Sequence, residues 1–460
     1  MSLAVASAAL ASTRADFRIR RRGPAYLVML VGSVLLGLLA APPRDAAFQV
    51  LELGPYRGEF TTGYLAAVTA MAGGLWLSFA GFAAVRGALA RDEAEGVAEL
   101  VASTSRPTAS HLLGRFGGAV LVLLSGALVL LGTAVAIQLL RGESTRIDPV
   151  ALLLPLAVVE LPLLLLAAGA AVLWDTVRPL RGAAGAALWF VVWMVLVIGG
   201  QSGRGLDLLG MGRITRSLRD AVVAQGDDPH RMEFGVGLTM NGPSREVVHW
   251  AGLPAGSWLE LVPQAVALAA LALALVLAPC AWYRLMPPRP AGRAEAAQAA
   301  QAAQAARFRT AGLGAPPPAL DRPFPLLAEV RLLLLGQPWW WLPLLALTAV
   351  AAGFTAGAAP AVWIALMPAW SRLGVPAPSP ASDIVAACPS PGRRRLATVL
   401  AGLAVTVAAS APAALRNPSP TWEAVTLGLA ALALACNAAT RSPRLFQALF
   451  PPLWYLIVAH

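Results

Sequence analysis

Long apolar runs separated by short polar stretches make up most of this chain. A helix that crosses a membrane needs roughly 20 mainly apolar residues, because the hydrocarbon core is about 30 Å thick. Eleven runs reach or approach that length, and the last of them is short: residues 24–41, 62–86, 113–140, 149–174, 183–200, 258–283, 339–357, 358–371, 396–415, 421–439 and 446–459. The pattern predicts an all-α, polytopic integral membrane protein with about 11 to 12 transmembrane helices, the division of 339–371 and of the C-terminal end being open.

A polar stretch at residues 284–328 interrupts these runs, and it is rich in Ala, Gln, Pro and Arg without a recurring apolar face. That composition is typical of a linker. It divides the chain into a first half, residues 1–283, with six predicted spans and a long external loop at 201–257, and a second half, residues 329–460, with five or six spans. The sequence therefore predicts two membrane-embedded halves joined on the cytoplasmic side.

Two short similarities relate these halves. Before the first and the seventh spans, four positions correspond at an offset of 313: Asp16, Arg18, Gly23 and Tyr26 with Glu329, Arg331, Gly336 and Trp339. After the second span of each half, "AELVASTSRPTASHLL" aligns with "SDIVAACPSPGRRRLA" at an offset of 284. Because both similarities keep their order relative to the spans, we expect two fused pseudo-repeats.

Composition agrees with a membrane protein, since 58% of the residues are hydrophobic and 13% are charged. Arginines at positions 14–22 precede the first span, and the positive-inside rule then places the N-terminus in the cytoplasm. In that orientation 24 arginines lie inside and 11 outside. The net charge of +11 is thus explained by topology, without nucleic-acid binding. We expect a multi-pass protein of the cell membrane, the inner membrane of a bacterium.

The residues needed for several kinds of catalysis are missing or scattered. The sequence contains no lysine, so a Walker A loop, whose lysine contacts the nucleotide phosphates, is excluded. Three cysteines, Cys280, Cys388 and Cys436, have no paired spacing, and the four histidines form no HExxH motif. We expect no enzyme activity, no metal and no cofactor bound by this chain itself.

An acidic segment lies between the second and third spans, in the stretch "RDEAEGVAELVASTSRPTASHLLGRF". At helical spacing Asp92, Glu95, Glu99 and Ser103 share one face, and Pro107 ends or bends the helix. A helix that lies on lipid headgroups would favour basic residues. Carboxylates instead favour a protein partner, and the alternative is a solvated loop helix.

This segment resembles the corresponding loop of ABC-2-type exporter permeases, the membrane subunits of ATP-binding-cassette transporters. The matching positions are Glu95, Gly96, Glu99, Leu100, Ser103, Thr104, Leu112, Leu113 and Gly114, with Arg115 where that family has lysine. The chain departs from the family at Val97, Ala98 and Ser105.

The resemblance implies that residues of about 91–106 form a coupling helix that docks into a separate P-loop ATPase subunit. ATP and magnesium would then be bound by that partner, which we expect in two copies. The implied coupling residues are those of the first segment and of a second coupling loop at about 372–395: Glu95, Gly96, Glu99, Leu100, Ser103, Asp383 and Cys388.

Other classes of protein must be weighed against this one. "GALARDEAEG" is also similar to a loop of major-facilitator secondary transporters, but acidic Glu93 and Glu95 stand where that family has basic residues. A membrane assembly scaffold that transports nothing is a further alternative. The sequence leaves open the transported substrate, and whether one chain completes the membrane part or two chains form a homodimer.

Two further features concern the transport path. Glu160 is the carboxylate that lies well within a predicted span, where charge costs a few kcal/mol, so it faces the bundle or is protonated. It could contact substrate, and the alternative is a structural partner for an arginine or a backbone group beside Pro155 and Pro162. In the external loop, apolar residues at helical spacing predict a helix packed on the bundle as a cap or a substrate-handling element: Leu206, Leu209, Ile214, Leu218 and Val222.

Overall fold

The structure is a computed structural model. It describes residues 3–42, 48–52, 56–94, 97, 107–142, 144, 146–201, 210–226, 235–240, 246–250, 252–283, 326–335, 340–375, 391–416, 418–440 and 443–459. The linker prediction for 284–328 lies almost entirely outside these ranges, as do residues 376–390 of the predicted second coupling loop.

The first half consists of helices that follow the predicted spans closely. They are α1 (Leu3–Arg20), α2 (Pro24–Ala40), α3 (Thr62–Ala72), α4 (Ser78–Val85), α5 (Ala88–Ala94), α6 (Thr108–Arg141), α7 (Pro149–Pro155), α8 (Leu161–Thr176), α9 (Ala183–Gln201), α10 (Met211–Ala224), α11 (Ala255–Leu259) and α12 (Val262–Leu277). Helices α1 and α2 meet at an angle of 79°. This bend lets the polar, arginine-rich α1 lie across one end of α6 instead of extending the span.

The second half repeats this helical character with fewer elements. Its helices are α13 (Leu326–Leu335), α14 (Trp341–Phe354), α15 (Ala359–Trp370), α16 (Pro391–Arg416), α17 (Pro420–Thr440) and α18 (Arg444–Ala459). A 3-10 turn, Ala356–Ala358, separates α14 from α15 at the weak break seen in the sequence.

Each of the eleven predicted apolar runs contains helix, and the mainly helical membrane fold is confirmed. Within the described ranges, six helices are long and apolar enough to cross a membrane, or seven if α1 and α2 form one broken span. Others are short. At a rise of about 1.5 Å per residue, α14 extends about 21 Å and α15 about 18 Å.

Two membrane helices contain a π-helical turn. Gly73–Leu77 joins α3 to α4, and Leu156–Glu160 joins α7 to α8. Such turns are rare and often occur at functional sites. Here the two π turns lie against each other in the core of the first half, which places Gly73 beside Glu160.

Two short strand pairs accompany the helices at the end of the first half opposite α5. Strand β1 (Phe48–Glu52) pairs antiparallel with β3 (Gly235–Met240), and β2 (Tyr56–Gly58) pairs in parallel with β4 (Glu246–Val248). The paired segments come from distant parts of the sequence, and periodicity within one segment does not reveal such a pairing.

The halves contact each other through helices α4 and α9 of the first half and α15 and α18 of the second. Helix α4 packs on α18, and α9 packs on both α15 and α18. Aromatic side chains fill this boundary, where the ring of Phe190 lies 6.4 Å from that of Phe450 and 5.3 Å from that of Trp454. All three side chains are buried, so the halves share one apolar core.

Candidate functional site

An ion cluster fixes helix α1 to the bundle at the end where α5 lies. Arg115 of α6 donates to the carboxylates of both Asp16 on α1 and Asp92 on α5. Asp16 also accepts a hydrogen bond of 2.6 Å from Arg20, which in turn donates to the backbone oxygen of Val85. We call Asp16, Arg20, Asp92 and Arg115 the ion cluster.

Glycines allow the close approach that the ion cluster requires. A Cβ atom built on Gly114 would overlap Ser12, and one built on Gly118 would overlap the carboxyl group of Asp16. Any larger residue would therefore push α1 away from α6. This contact gives a structural reason for Gly114 in the motif, separate from any partner.

The carboxylate of Asp175 caps helix α5. It accepts hydrogen bonds from the backbone nitrogens of Gly87 and Ala88 at 2.8 and 2.9 Å, and a longer one from Leu89. A negative charge at a helix N-terminus is favourable, because the first N–H groups have no helical partner. Gly87 adopts a φ of 83°, a conformation that glycine reaches at no steric cost. The acidic segment therefore begins at a rigidly held position.

A second ion pair lies beside this cap. Arg181, in the loop after α8, donates two hydrogen bonds to Glu93 of α5 and one to the backbone oxygen of Asp175. Although desolvation opposes it, the hydrogen bonds and charge of Glu93 raise the pKa of Arg181. Nearby, burial first and the charge of Glu93 second raise the pKa of Tyr283 to about 12.

A buried cluster of apolar side chains also packs against α5. Leu89, Leu112, Val172, Val276 and Tyr283 form a buried cluster that joins α5, α6, α8, α12 and the end of the first half. Leu112 is one of the motif positions, and its side chain is completely buried. The motif therefore includes positions with a packing role inside this chain.

The seven predicted coupling residues all lie outside the described residues: Glu95, Gly96, Glu99, Leu100, Ser103, Asp383 and Cys388. Two carboxylates that precede this segment, Asp92 and Glu93, lie within the described residues, and the structure corrects the interpretation of Asp92. Helical spacing places Asp92 on the face offered to a partner, together with Glu95 and Glu99, but Asp92 is 7% exposed and paired with Arg115. Glu93 is likewise paired within the chain.

Helices of the second half are also joined by buried polar contacts. Glu329 on α13 is buried and accepts a hydrogen bond of 3.1 Å from Thr398 near the start of α16. Asn437 of α17 donates to the backbone oxygens of Trp370 and Leu373 at the end of α15. Both contacts are polar and largely removed from solvent.

Glu160 lies at the other predicted site, deep in the first half. It is 2% exposed, and its Oε1 atom is buried without a hydrogen-bond partner among the described residues. The carboxyl group contacts Gly73 so closely that a methyl group there would overlap Oε1. Thus Glu160 faces the bundle, which is one of the possibilities that the sequence leaves open.

The end opposite α5 carries a cap. Helix α10 occupies part of the predicted external helix: Ile214, Leu218 and Val222 are buried in the core, while Leu206 and Leu209 lie outside the described residues. Trp250 donates to Ser217 at 2.9 Å and thereby joins α10 to the segment after β4. The cap is packed onto the bundle and shares its core.

No group of His, Cys, Asp and Glu suited to a metal ion occurs among the described residues. Comparison with known proteins gives no family, since no family model, curated protein or solved structure matches the chain.

Proposed function

We propose that the chain is the membrane subunit of an ATP-driven exporter of the ABC-2 type, which couples ATP hydrolysis in a separate P-loop ATPase to movement of a substrate across or out of the membrane. The observation that carries the proposal is the anchoring of the acidic segment at Asp92 and Glu93, at the start of the motif. In this proposal the chain performs no bond chemistry.

The anchoring supports a mechanical role for the segment. Helix α5 is tied to α1 and α6 through Arg115, to α8 through Asp175, and to the loop before α9 through Arg181. A force applied to residues 95–106 by a docked partner would thus reach several membrane helices through charged contacts. A merely solvated loop helix needs no such attachment.

The proposal includes two fused halves, and several paired contacts support it. Asp16 binds the start of α6, and Glu329 binds the start of α16. Arg141 at the end of α6 donates to the oxygen of Pro42 after α2, and Arg416 at the end of α16 donates to that of Phe354 at the end of α14. Each of these contacts in one half has a counterpart in the other.

The contacts at the boundary between the halves can also be paired in this way. If α4 corresponds to α15 and α9 to α18, then the pairs α4 with α18 and α9 with α15 are the same contact made twice. Reciprocal contacts of this kind are the property of a two-fold interface. One chain would then supply both sides of the permease and bind two ATPase copies, and a homodimer is not required.

In the proposed mechanism, ATP binding closes two ATPase subunits at the cytoplasmic side, where we place α5 and the N-terminus. The acidic segment and the loop at 372–395 carry that motion to the boundary formed by α4, α9, α15 and α18. The bundle then switches between two conformations to which the substrate binds differently.

The charge distribution disfavours a secondary transporter. Such a protein needs charged residues around a site near the middle of the membrane. Over the described spans, Glu160 is the only ionisable carboxyl or basic residue far from both ends. An assembly scaffold remains as the second alternative, with no specific contact in its favour.

The experiment is to tag the chain in its host, extract it in mild detergent, and identify by quantitative mass spectrometry the proteins that co-purify. We expect a P-loop ATPase at two copies per chain. Recovery of the chain alone, with transport driven by an ion gradient, would favour the secondary transporter. Recovery with membrane proteins that include no ATPase would favour the scaffold.

A further inference from the structure

Glu160 is placed between two π-helical turns, an arrangement that the exporter function does not explain. It ends the turn Leu156–Glu160, and its carboxyl group contacts Gly73, the first residue of the turn Gly73–Leu77. The span that contains it is Pro149–Thr176. From the helical rise, Glu160 lies about 16 Å from one end of this span and about 24 Å from the other. The carboxyl group therefore lies near the middle of the membrane.

No cation faces this carboxyl group from the described elements packed against it. Helices α2, α3, α4, α7 and α12 and the two π turns contain no charged residue besides Glu160 itself. On α8 the nearest charged group is Asp175, about 22 Å along the helix. On α6, Leu130 lies beside the site. From Leu130, Arg141 is about 16 Å and Arg115 about 22 Å away along the helix.

An ionised carboxylate in this position would be unstable. Removing such a charge from water without a partner costs several kcal/mol, whereas the neutral acid costs far less. A metal ion or an ammonium group would need space and further oxygen ligands. The carboxyl group lies directly against Gly73, with Leu130 beside that contact, and Glu160 is 2% exposed.

We propose that Glu160 is a proton-binding site inside the membrane, occupied in this conformation at neutral pH. The reaction is the addition of one proton to one carboxylate oxygen, which gives a neutral carboxylic acid and involves no oxidant or further ligand. The proposal goes beyond the exporter function and does not depend on an ATPase partner.

The surroundings connect the proton to the boundary between the halves. The backbone oxygen of Leu75, within the π turn of Gly73, accepts a hydrogen bond of 2.8 Å from Trp193 of α9. Trp193 stacks on Phe190, whose ring contacts aromatic rings of α18. Loss of the proton would charge Glu160, favour its exposure to water, and disturb the π turn that holds α9. The protonation state thereby selects between conformations of the bundle.

The test is infrared spectroscopy of the purified full chain in lipid nanodiscs at neutral pH, comparing wild type with Glu160→Gln. The C=O stretch of a protonated carboxyl group is separate from the bands of an ionised carboxylate. We expect an acid band that is lost in Glu160→Gln. The matched control is Glu423→Gln, because Glu423 is exposed near the start of α17 and should contribute only carboxylate bands.

If Glu160→Gln loses carboxylate bands and the acid region is unchanged, Glu160 is ionised and the proposal is wrong. If that variant does not insert, wild type and Glu160→Asp are compared after growth with carbon-13 glutamate. An isotope-shifted acid band in wild type that is missing from Glu160→Asp supports the proposal. No labelled acid band in wild type overturns it.

Discussion

The carboxylate of Asp175 lies 2.8 Å from the backbone nitrogen of Gly87, although 88 positions separate the two residues in sequence. Asp175 lies at the end of membrane helix α8, and Gly87 lies just after membrane helix α4. Their contact fixes the point at which the chain leaves the membrane and begins the acidic segment. The N-terminal end of α5 is therefore held by one buried side chain.

We predict that Asp175→Ala weakens the attachment of α5. Loss of a cap costs about 0.5–2 kcal/mol, and more is expected here because three N–H groups lose their partner. Limited proteolysis at residues 87–106 should become faster, and recovery of the ATPase should fall. The control is Asp148→Ala, which removes the cap of α7 at the opposite end and should leave both readouts at this segment unchanged. Equal proteolysis in the two variants would contradict the proposed role of Asp175.

The ion cluster gives a second prediction. Arg115→Met removes from the buried carboxylates of Asp16 and Asp92 the cation that they share. Such a loss typically costs about 3–5 kcal/mol. Thermal unfolding in detergent should shift to lower temperature. Arg115→Lys should recover only part of the stability, because a single ammonium group lacks the two-sided geometry of guanidinium.

The matched control for Arg115 is Arg18→Met, since Arg18 is an exposed arginine on α1. It should unfold at the wild-type temperature. A wild-type unfolding temperature in Arg115→Met would show that the two carboxylates do not need this cation, and the ion cluster would lose its structural importance.

The sequence predicts the helices well and the contacts between them poorly. Apolar runs of roughly 20 residues arise directly from the thickness of the membrane. The bounds of α2 and α17 therefore follow from composition. The role of Asp175 does not follow, because a carboxylate at the end of a span has the same appearance whether it faces water or a helix N-terminus. The pairing of Asp92 with Arg115 cannot be predicted either, because the sequence does not show whether Asp92 faces water or another helix.

The sequence does contain part of the information needed to predict the capped start of α5. Gly87 directly after Arg86, with a short helix following, indicates a chain that turns sharply and then exposes N–H groups that need an acceptor. These local features do not identify the acceptor, Asp175, because it lies in a span that is distant in sequence. Glu160 is identifiable from sequence alone because an acid inside an apolar run is rare.

A third prediction concerns the residues of the motif outside the described ranges. Glu95→Arg combined with Glu99→Arg should uncouple ATP hydrolysis from transport and reduce binding of the ATPase, while the chain still inserts into the membrane. The reason is that two carboxylates of the proposed docking surface would become cations that repel the groups expected to bind them. Binding and ATPase activity are measured in co-expressed, reconstituted complexes.

The control is Glu423→Arg, a charge reversal at an exposed position near the start of α17. It should retain wild-type binding and coupling. Unchanged partner binding in the Glu95→Arg, Glu99→Arg variant would refute the assignment of residues 91–106 as a coupling helix.

A fourth prediction follows from the raised pKa of Tyr283, about 12 against about 10 for an ordinary tyrosine. Burial disfavours the phenolate in the folded state, so the unfolded chain loses this proton more readily. The contribution of Tyr283 to stability is therefore complete below about pH 10 and is lost as the pH rises through about 12. In ultraviolet titrations, wild type minus Tyr283→Phe should show a phenolate transition near pH 12. The transition should return to about pH 10 after unfolding in strong detergent, and an ordinary value in the folded chain would disprove the burial.

The last prediction tests the contact between Gly73 and Glu160 by a double-mutant cycle. Gly73→Ala should destabilise the chain by about 1–3 kcal/mol, because overpacking in a filled core displaces its neighbours. Its methyl group would overlap the Glu160 carboxyl group and lie 2.9 Å from Leu130. In a Glu160→Ala background the same substitution should cost less, since only the overlap with Leu130 remains. Gly132→Ala is the control: a Cβ at Gly132 meets no atom within 4 Å, so this change in α6 should be neutral or slightly stabilising. Additive effects of Gly73→Ala and Glu160→Ala would mean that the two π turns do not contact each other through these residues.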